Sequence, residues 1–249
     1  MYLIKSKYAP IYAFLFRTFG LLVGISAITL QLFTNNEIGK GFMANHVLAY
    51  FTIQTNILTS LVFLSLIIKT IIVWIKDKKL KLVSVNRSIN LACTFYITIT
   101  LTVYWTMLAP VLGVGDVPLS IANTLFLHLF TPLCAIIDCI LFFRHGELKK
   151  RNCLYWLAYP VAYVISLVII ANVSDVPYYQ FPMGDKKIPL HYPYPFLEPQ
   201  VVGVGGMIGV IIGLIVVCLL FGYVYIIVDN AIAKHIMKRD SITLENKDN

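Results

Sequence analysis

Long apolar stretches alternate with short polar ones along this chain. Six of them, residues 10–33, 48–75, 89–112, 119–143, 154–173 and 201–228, reach the roughly 20 residues that a helix needs to cross a bilayer. The pattern predicts an all-α fold: a polytopic integral membrane protein whose six-transmembrane-helix bundle fills residues 1–228. Residues 229–249 turn polar and mixed in charge, which predicts a helix end followed by a disordered cytoplasmic tail. Two apolar stretches carry hydrogen-bonding side chains at helical spacing. Thr52, Asn56 and Thr59 share one face of the second predicted helix, with Thr55 beside them, and Thr124, His128 and Thr131 share one face of the fourth.

Composition agrees with the pattern. The chain is 59% hydrophobic and 13% charged, with a mean hydropathy of +0.80, which excludes a water-soluble globule. A net charge of +8 would point to nucleic acid in a soluble protein. Here the basic residues cluster between apolar stretches, so no nucleic-acid role follows. Fifteen Lys and Arg fall on the side of the termini and three (Lys40, Lys186, Lys187) on the other, so the positive-inside rule predicts a multi-pass cell-membrane protein with both termini cytoplasmic. The first apolar stretch is too long for a signal-peptide core and lacks a cleavage site, and is expected to be retained. The five cysteines lie within or at the ends of apolar stretches without metal-ligand spacing, so they read as small hydrophobes; no metal or cofactor is expected.

Other features bear on packing. Gly20 and Gly24 in the first helix, and Gly205, Gly209 and Gly213 in the sixth, predict close approach inside the bundle. Arg17 and Asp138 lie inside predicted helices at similar depth near the end that carries the termini, and are expected to pair, because each charge alone costs about 2.5–3.5 kcal/mol in lipid. Lys69 is expected to snorkel. The threonines of the third helix, Thr94, Thr98, Thr102 and Thr106, are expected to bond back to their own helix. Residues 174–200 hold six prolines among many aromatics, which forbids a regular helix and predicts an ordered, aromatic and proline-rich external loop between helices five and six, capping the bundle.

The chemistry rests on depth. Helices two and four run in the same direction, and Thr52 and His128 fall about 7 and 13 Å from their outer ends at a rise of 1.5 Å per residue, so the two side chains can meet. A threonine hydroxyl becomes a nucleophile only when a neighbouring base takes its proton, and a neutral histidine is the usual base. Asn56 or Asn123 could then donate to an oxyanion. Taken by themselves, threonine and histidine in membrane helices more often only hold helices together.

The stretch FTIQTN at residues 51–56, the His128 helix with its following Thr131 and Pro132, and YPFLE at residues 194–198 resemble the androgen-induced-gene family of membrane threonine hydrolases. Most closely they resemble that family's bacterial relatives, known as predicted six-transmembrane proteins. The resemblance implies hydrolysis of fatty acid esters of hydroxy fatty acids or a similar lipid or fatty-acyl ester. It further implies Thr52 as nucleophile and His128 as base, with Asn56, Asn123, Thr131, Tyr194 and Glu198 around the substrate. Acyl chains would enter from the bilayer, and the loop of Tyr194 and Glu198 would close over the ester. The alternative is a transporter or small-molecule receptor whose polar interior, Arg17 and Asp138 included, binds a ligand or proton. No internal repeat relates the two halves, which weakens the transporter reading.

The charge asymmetry generates a first prediction. In intact cells, a cysteine introduced at Lys186 is modified rapidly by an impermeant maleimide and one at Lys79 is not. The reverse pattern would invert the topology.

Overall fold

The computed structural model describes residues 1–37, 47–113, 115, 118–146, 148–174 and 176–248; Lys40, His46 and Asn249 lie outside them. Six helices are long and apolar enough to cross a membrane. They are α1 (Ala9–Glu37), α2 (Phe51–Asp77), α3 (Arg87–Leu112), α4 (Pro118–Phe142), α5 (Asn152–Val173) and α6 (Pro199–Asp248). The first five match the apolar stretches to within a few residues. Local chemistry sets several ends: Asn86 caps α3 by accepting from the Ser88 and Ile89 amides, and α2 ends on Lys78 in the left-handed region.

The fold is not purely α. Strands β1 (Tyr179–Met183) and β2 (Lys186–Leu190) form an antiparallel hairpin within the proline-rich connection. A two-stranded ribbon tolerates Pro182 and Pro189 because its outer edges need no amide donors. After it, the backbone folds over the end of the bundle opposite the termini. Tyr178, Leu190, Tyr192, Tyr194 and Leu197 are buried, and Glu198 accepts from the His191 and Gln200 amides, which closes the segment on itself. The expected ordered cap is therefore present, built on a hairpin.

The last helix departs furthest from expectation. Instead of giving way to a disordered tail near residue 228, α6 stays helical to Asp248 and kinks at Gly203 (φ 73, ψ 160). Its 50 residues amount to about 75 Å at 1.5 Å per residue. Its polar half is held because its buried face continues: Ile226, Asp229, Ala233 and Ile236 recur at spacings of three and four. Asp229 accepts from Arg87 Nη2 at 2.5 Å, His145 Nδ1 at 2.9 Å and the Gly146 amide at 3.0 Å. Further along, Asp240 pairs with Lys5, and Arg239 Nη1 donates to the Leu3 carbonyl at 3.1 Å. The N-terminus is tied in from the other side, with the Met1 amine donating to the His145 carbonyl at 2.9 Å and Tyr2 bridging Arg144.

Packing between helices is uneven. On α1, Gly20 faces the Phe63 ring and Gly24 faces Ser60, so α1 and α2 approach closely as expected. On α6, a Cβ at Gly205, Gly209 or Gly213 would meet no atom of the described residues within 4 Å, so among those residues that stripe is not an internal packing face. Large apolar side chains such as Leu15, Leu61, Ile72, Ile169 and Leu220 point outward. Three of the four named threonines bond back as expected: Thr94 to the Asn90 carbonyl, Thr98 to Thr94 and Thr106 to Thr102. Thr98 also meets the Tyr225 hydroxyl, and Thr100 meets Thr55. Lys69 turns back to the Ser84 carbonyl. All five cysteines are free, and only Cys153 is not fully buried.

Arg17 Nε donates to Asp138 Oδ1 at 2.8 Å with side-chain exposures of 1% and 3%. Arg17 Nη1 also donates to the Val83 carbonyl. Removing either partner strands a buried charge, at a cost of about 3–5 kcal/mol. Arg17→Leu and Asp138→Leu should each lower thermal stability in detergent by more than the double variant does. Strictly additive losses would show that the pair does not couple.

Candidate functional site

The site begins with an unfinished helix. Ile53 and Gln54 in the first turn of α2 bond the Tyr50 carbonyl, but the Phe51 amide at the helix start has no carbonyl one turn back, and Tyr50 ahead of it provides no side-chain cap. The Phe51 amide donates instead to two tyrosine hydroxyls, Tyr163 of α5 at 3.1 Å and Tyr194 of the cap at 3.0 Å. Tyr163 passes its own hydrogen to the Ala49 carbonyl at 2.8 Å. The bond from the Phe51 amide holds the Tyr194 hydroxyl beside the start of α2, where Tyr194 and Thr52 line the same two cavities. Thr52 thus sits at the positive end of α2, with its exposure reduced to 9%.

His128 is aimed by a proline. Pro132 has no amide hydrogen to give the His128 carbonyl four residues back, and the helix widens into a π turn at Phe126–Phe130, where the Thr131 amide bonds the Phe126 carbonyl. Trp105 Nε1 from α3 donates to the His128 carbonyl at 3.0 Å in place of the missing donor. A second π turn, Tyr104–Leu108, precedes Pro110 in α3. It brings the Tyr104 ring flat against the imidazole, with centroids 3.6 Å apart and planes at 17°. His128 Nδ1 lies 3.1 Å from the Thr124 carbonyl. A carbonyl can only accept, so the proton is on Nδ1 and the Nε2 lone pair is free. That lone pair faces Thr52 Oγ1 at 3.4 Å.

The other expected site residues divide. Tyr194 borders Thr52. Asn56 has given both amide hydrogens to backbone, at 2.8 Å to the Thr52 carbonyl and 3.2 Å to the Leu127 carbonyl, which ties α2 to α4 and leaves none for an oxyanion. Asn123 Nδ2 donates to Gln31 Oε1 of α1 at 2.6 Å. Thr131 is fully buried and bonds the Phe126 carbonyl. Glu198 shapes the cap through backbone amides. These four hold helices and loop in register and do not face the hydroxyl of Thr52. Tyr104, Trp105 and Tyr163 were missed by sequence reasoning, although a proline four residues after His128 signals a carbonyl in need of another donor. Among the described residues, no three His, Cys, Asp or Glu side chains group as metal ligands.

Two cavities meet at this point. One, of about 210 Å³, runs between α3, α5 and α6 and is walled by apolar side chains including Ile99, Val103, Val164, Ile211 and Ile215. The other, of about 310 Å³, lies under the hairpin and is lined by Gln31, Tyr50, Leu112, His128 and Tyr179 among others. Thr52, Tyr104, Leu108 and Tyr194 line both. No protein-family model, no curated protein and no solved structure matches this chain.

Proposed function

We propose that this chain is a multi-pass membrane hydrolase of lipid esters, with both termini in the cytoplasm, Thr52 as nucleophile and His128 as general base. The observation that carries the reading is the Thr52 Oγ1 to His128 Nε2 approach of 3.4 Å, with the tautomer fixed by the Thr124 carbonyl. Such contacts tighten when substrate binds. Membrane placement is supported by six long apolar helices with apolar outer faces; the orientation is supported by the charge asymmetry.

In the first half-reaction His128 Nε2 takes the Thr52 proton as Oγ1 bonds the ester carbonyl carbon. The tetrahedral intermediate collapses, the carbon–oxygen bond to the alcohol breaks, and His128 returns the proton to the departing oxygen. Water then gives a proton to His128 as it attacks the acyl-threonine, the carbon–Oγ1 bond breaks to release the acid, and His128 returns the proton to Thr52 Oγ1. The oxyanion falls to Tyr194. The hydrogens of Tyr163, Tyr104 and Asn56 are committed to carbonyls, whereas the Tyr194 hydroxyl accepts from the Phe51 amide next to Thr52 and donates to no carbonyl among the described residues. Burial holds the Tyr194 phenol above its ordinary value, so it stays a neutral donor through and beyond the physiological range. The N-terminus of α2 adds a favourable field. The transporter or receptor reading has less to stand on, because Arg17 and Asp138 line neither large cavity.

Purified protein in lipid, assayed against a panel of lipid esters and a fluorophosphonate probe, tests the reading. Thr52→Ala and His128→Ala should each abolish turnover nearly as fully as the double variant while the fold survives, since groups acting as a unit are not additive. Wild-type turnover in folded Thr52→Ala protein would end the mechanism. Tyr194→Phe should lower kcat by about a hundred- to a thousandfold with a smaller effect on KM; an unchanged kcat would remove Tyr194 from the oxyanion site.

A further inference from the structure

The two cavities differ in what they can do for the two halves of an ester, and the difference has a direction. His128 lines the second cavity and not the first. In an acyl transfer the base that deprotonates the nucleophile must afterwards protonate the leaving oxygen, so that oxygen has to lie on the His128 side of Thr52. The alcohol half of the substrate then extends into the second cavity. The acyl half, attached to the other side of the same carbonyl carbon, is directed past Thr52 into the first.

The walls agree with that assignment. Apart from the residues shared at the junction, the first cavity meets its occupant almost wholly with apolar side chains from α3, α5, α6 and the cap. It has room for an unbranched hydrocarbon and almost nothing to bond a polar group, which would be stranded there at a cost. The second cavity presents Gln31, Tyr50 and Tyr179 beside Leu112, Leu127 and His128, so it accepts an alcohol that carries hydrogen-bonding groups of its own. Resting on the hydrolase reading, we infer that the cavity between α3, α5 and α6 is an acyl-chain site and the cavity under the hairpin an alcohol site.

The test is a grid of esters and two kinds of blocking variant, using the full chain in lipid nanodiscs. One arm of the grid holds p-nitrophenol as the alcohol and varies the acyl group through acetate, octanoate and hexadecanoate. The other holds octanoate and varies the alcohol through ethanol, dodecanol and glycerol. Ile215→Trp, with Leu214→Trp as a second variant should the first fail to melt cooperatively, fills the first cavity from α6. Either should lower the hexadecanoate-to-acetate ratio of kcat/KM by about tenfold or more while the ranking of alcohols stays. Leu112→Trp, at the edge of the second cavity, should change the ranking of alcohols and leave the acyl ratio alone. The opposite crossing of effects, or variants that change neither selectivity, would overturn the assignment of the cavities while leaving the hydrolase intact. A wild-type protein inert to every ester in the grid would overturn the hydrolase reading itself, and the assignment with it.

Discussion

A backbone amide at the start of a helix has no partner within that helix, and in apolar surroundings it has no water either. The arrangement around Thr52 follows from that constraint. The Phe51 amide is satisfied by hydroxyls from α5 and from the cap, so the helix that carries Thr52 cannot be finished until two other parts of the chain are in place. The same hydroxyls shield Thr52 and bring Tyr194 to it. The atoms that cap the helix are also the atoms that surround Thr52, and one of them comes from the ordered cap with its buried tyrosines.

Proline applies the same rule from the other direction. By withholding a hydrogen from the His128 carbonyl, Pro132 makes the fourth helix depend on Trp105 of the third. The π turns that precede Pro110 and Pro132 set Tyr104 and His128 face to face. The imidazole is fixed by stacking on one face, by the Thr124 carbonyl at Nδ1, and by the turn that carries it. It has little freedom left except to offer Nε2 to Thr52.

Much of this was legible in the residues. Hydropathy gave the six helices because length and apolarity are properties of single segments. Depth along co-directional helices brought Thr52 and His128 to one level, and opposite charge paired Arg17 with Asp138. What a single segment cannot show is its rotation against its neighbours. Asn56 and Thr131 lie on the polar stripes and Asn123 next to one, and all three still turn their hydrogen bonds to backbone or to α1. Gly205, Gly209 and Gly213 of α6 lie on a regular stripe, and a Cβ there would meet no atom of the described residues within 4 Å. The helical extension of α6 was written in the spacing of Ile226, Ala233 and Ile236, but the polarity around them reads as a tail until Asp229 is seen to have partners at the start of α3 and on the connection after α4.

Those partners give the chain an order of assembly. Residues Met1 to Lys5 rest on Arg144 and His145 and are held by Arg239 and Asp240. Synthesis proceeds from the N-terminus, so this segment, which precedes α1, has no final seat until α6 has been made. The seam between them can close only after all six helices exist.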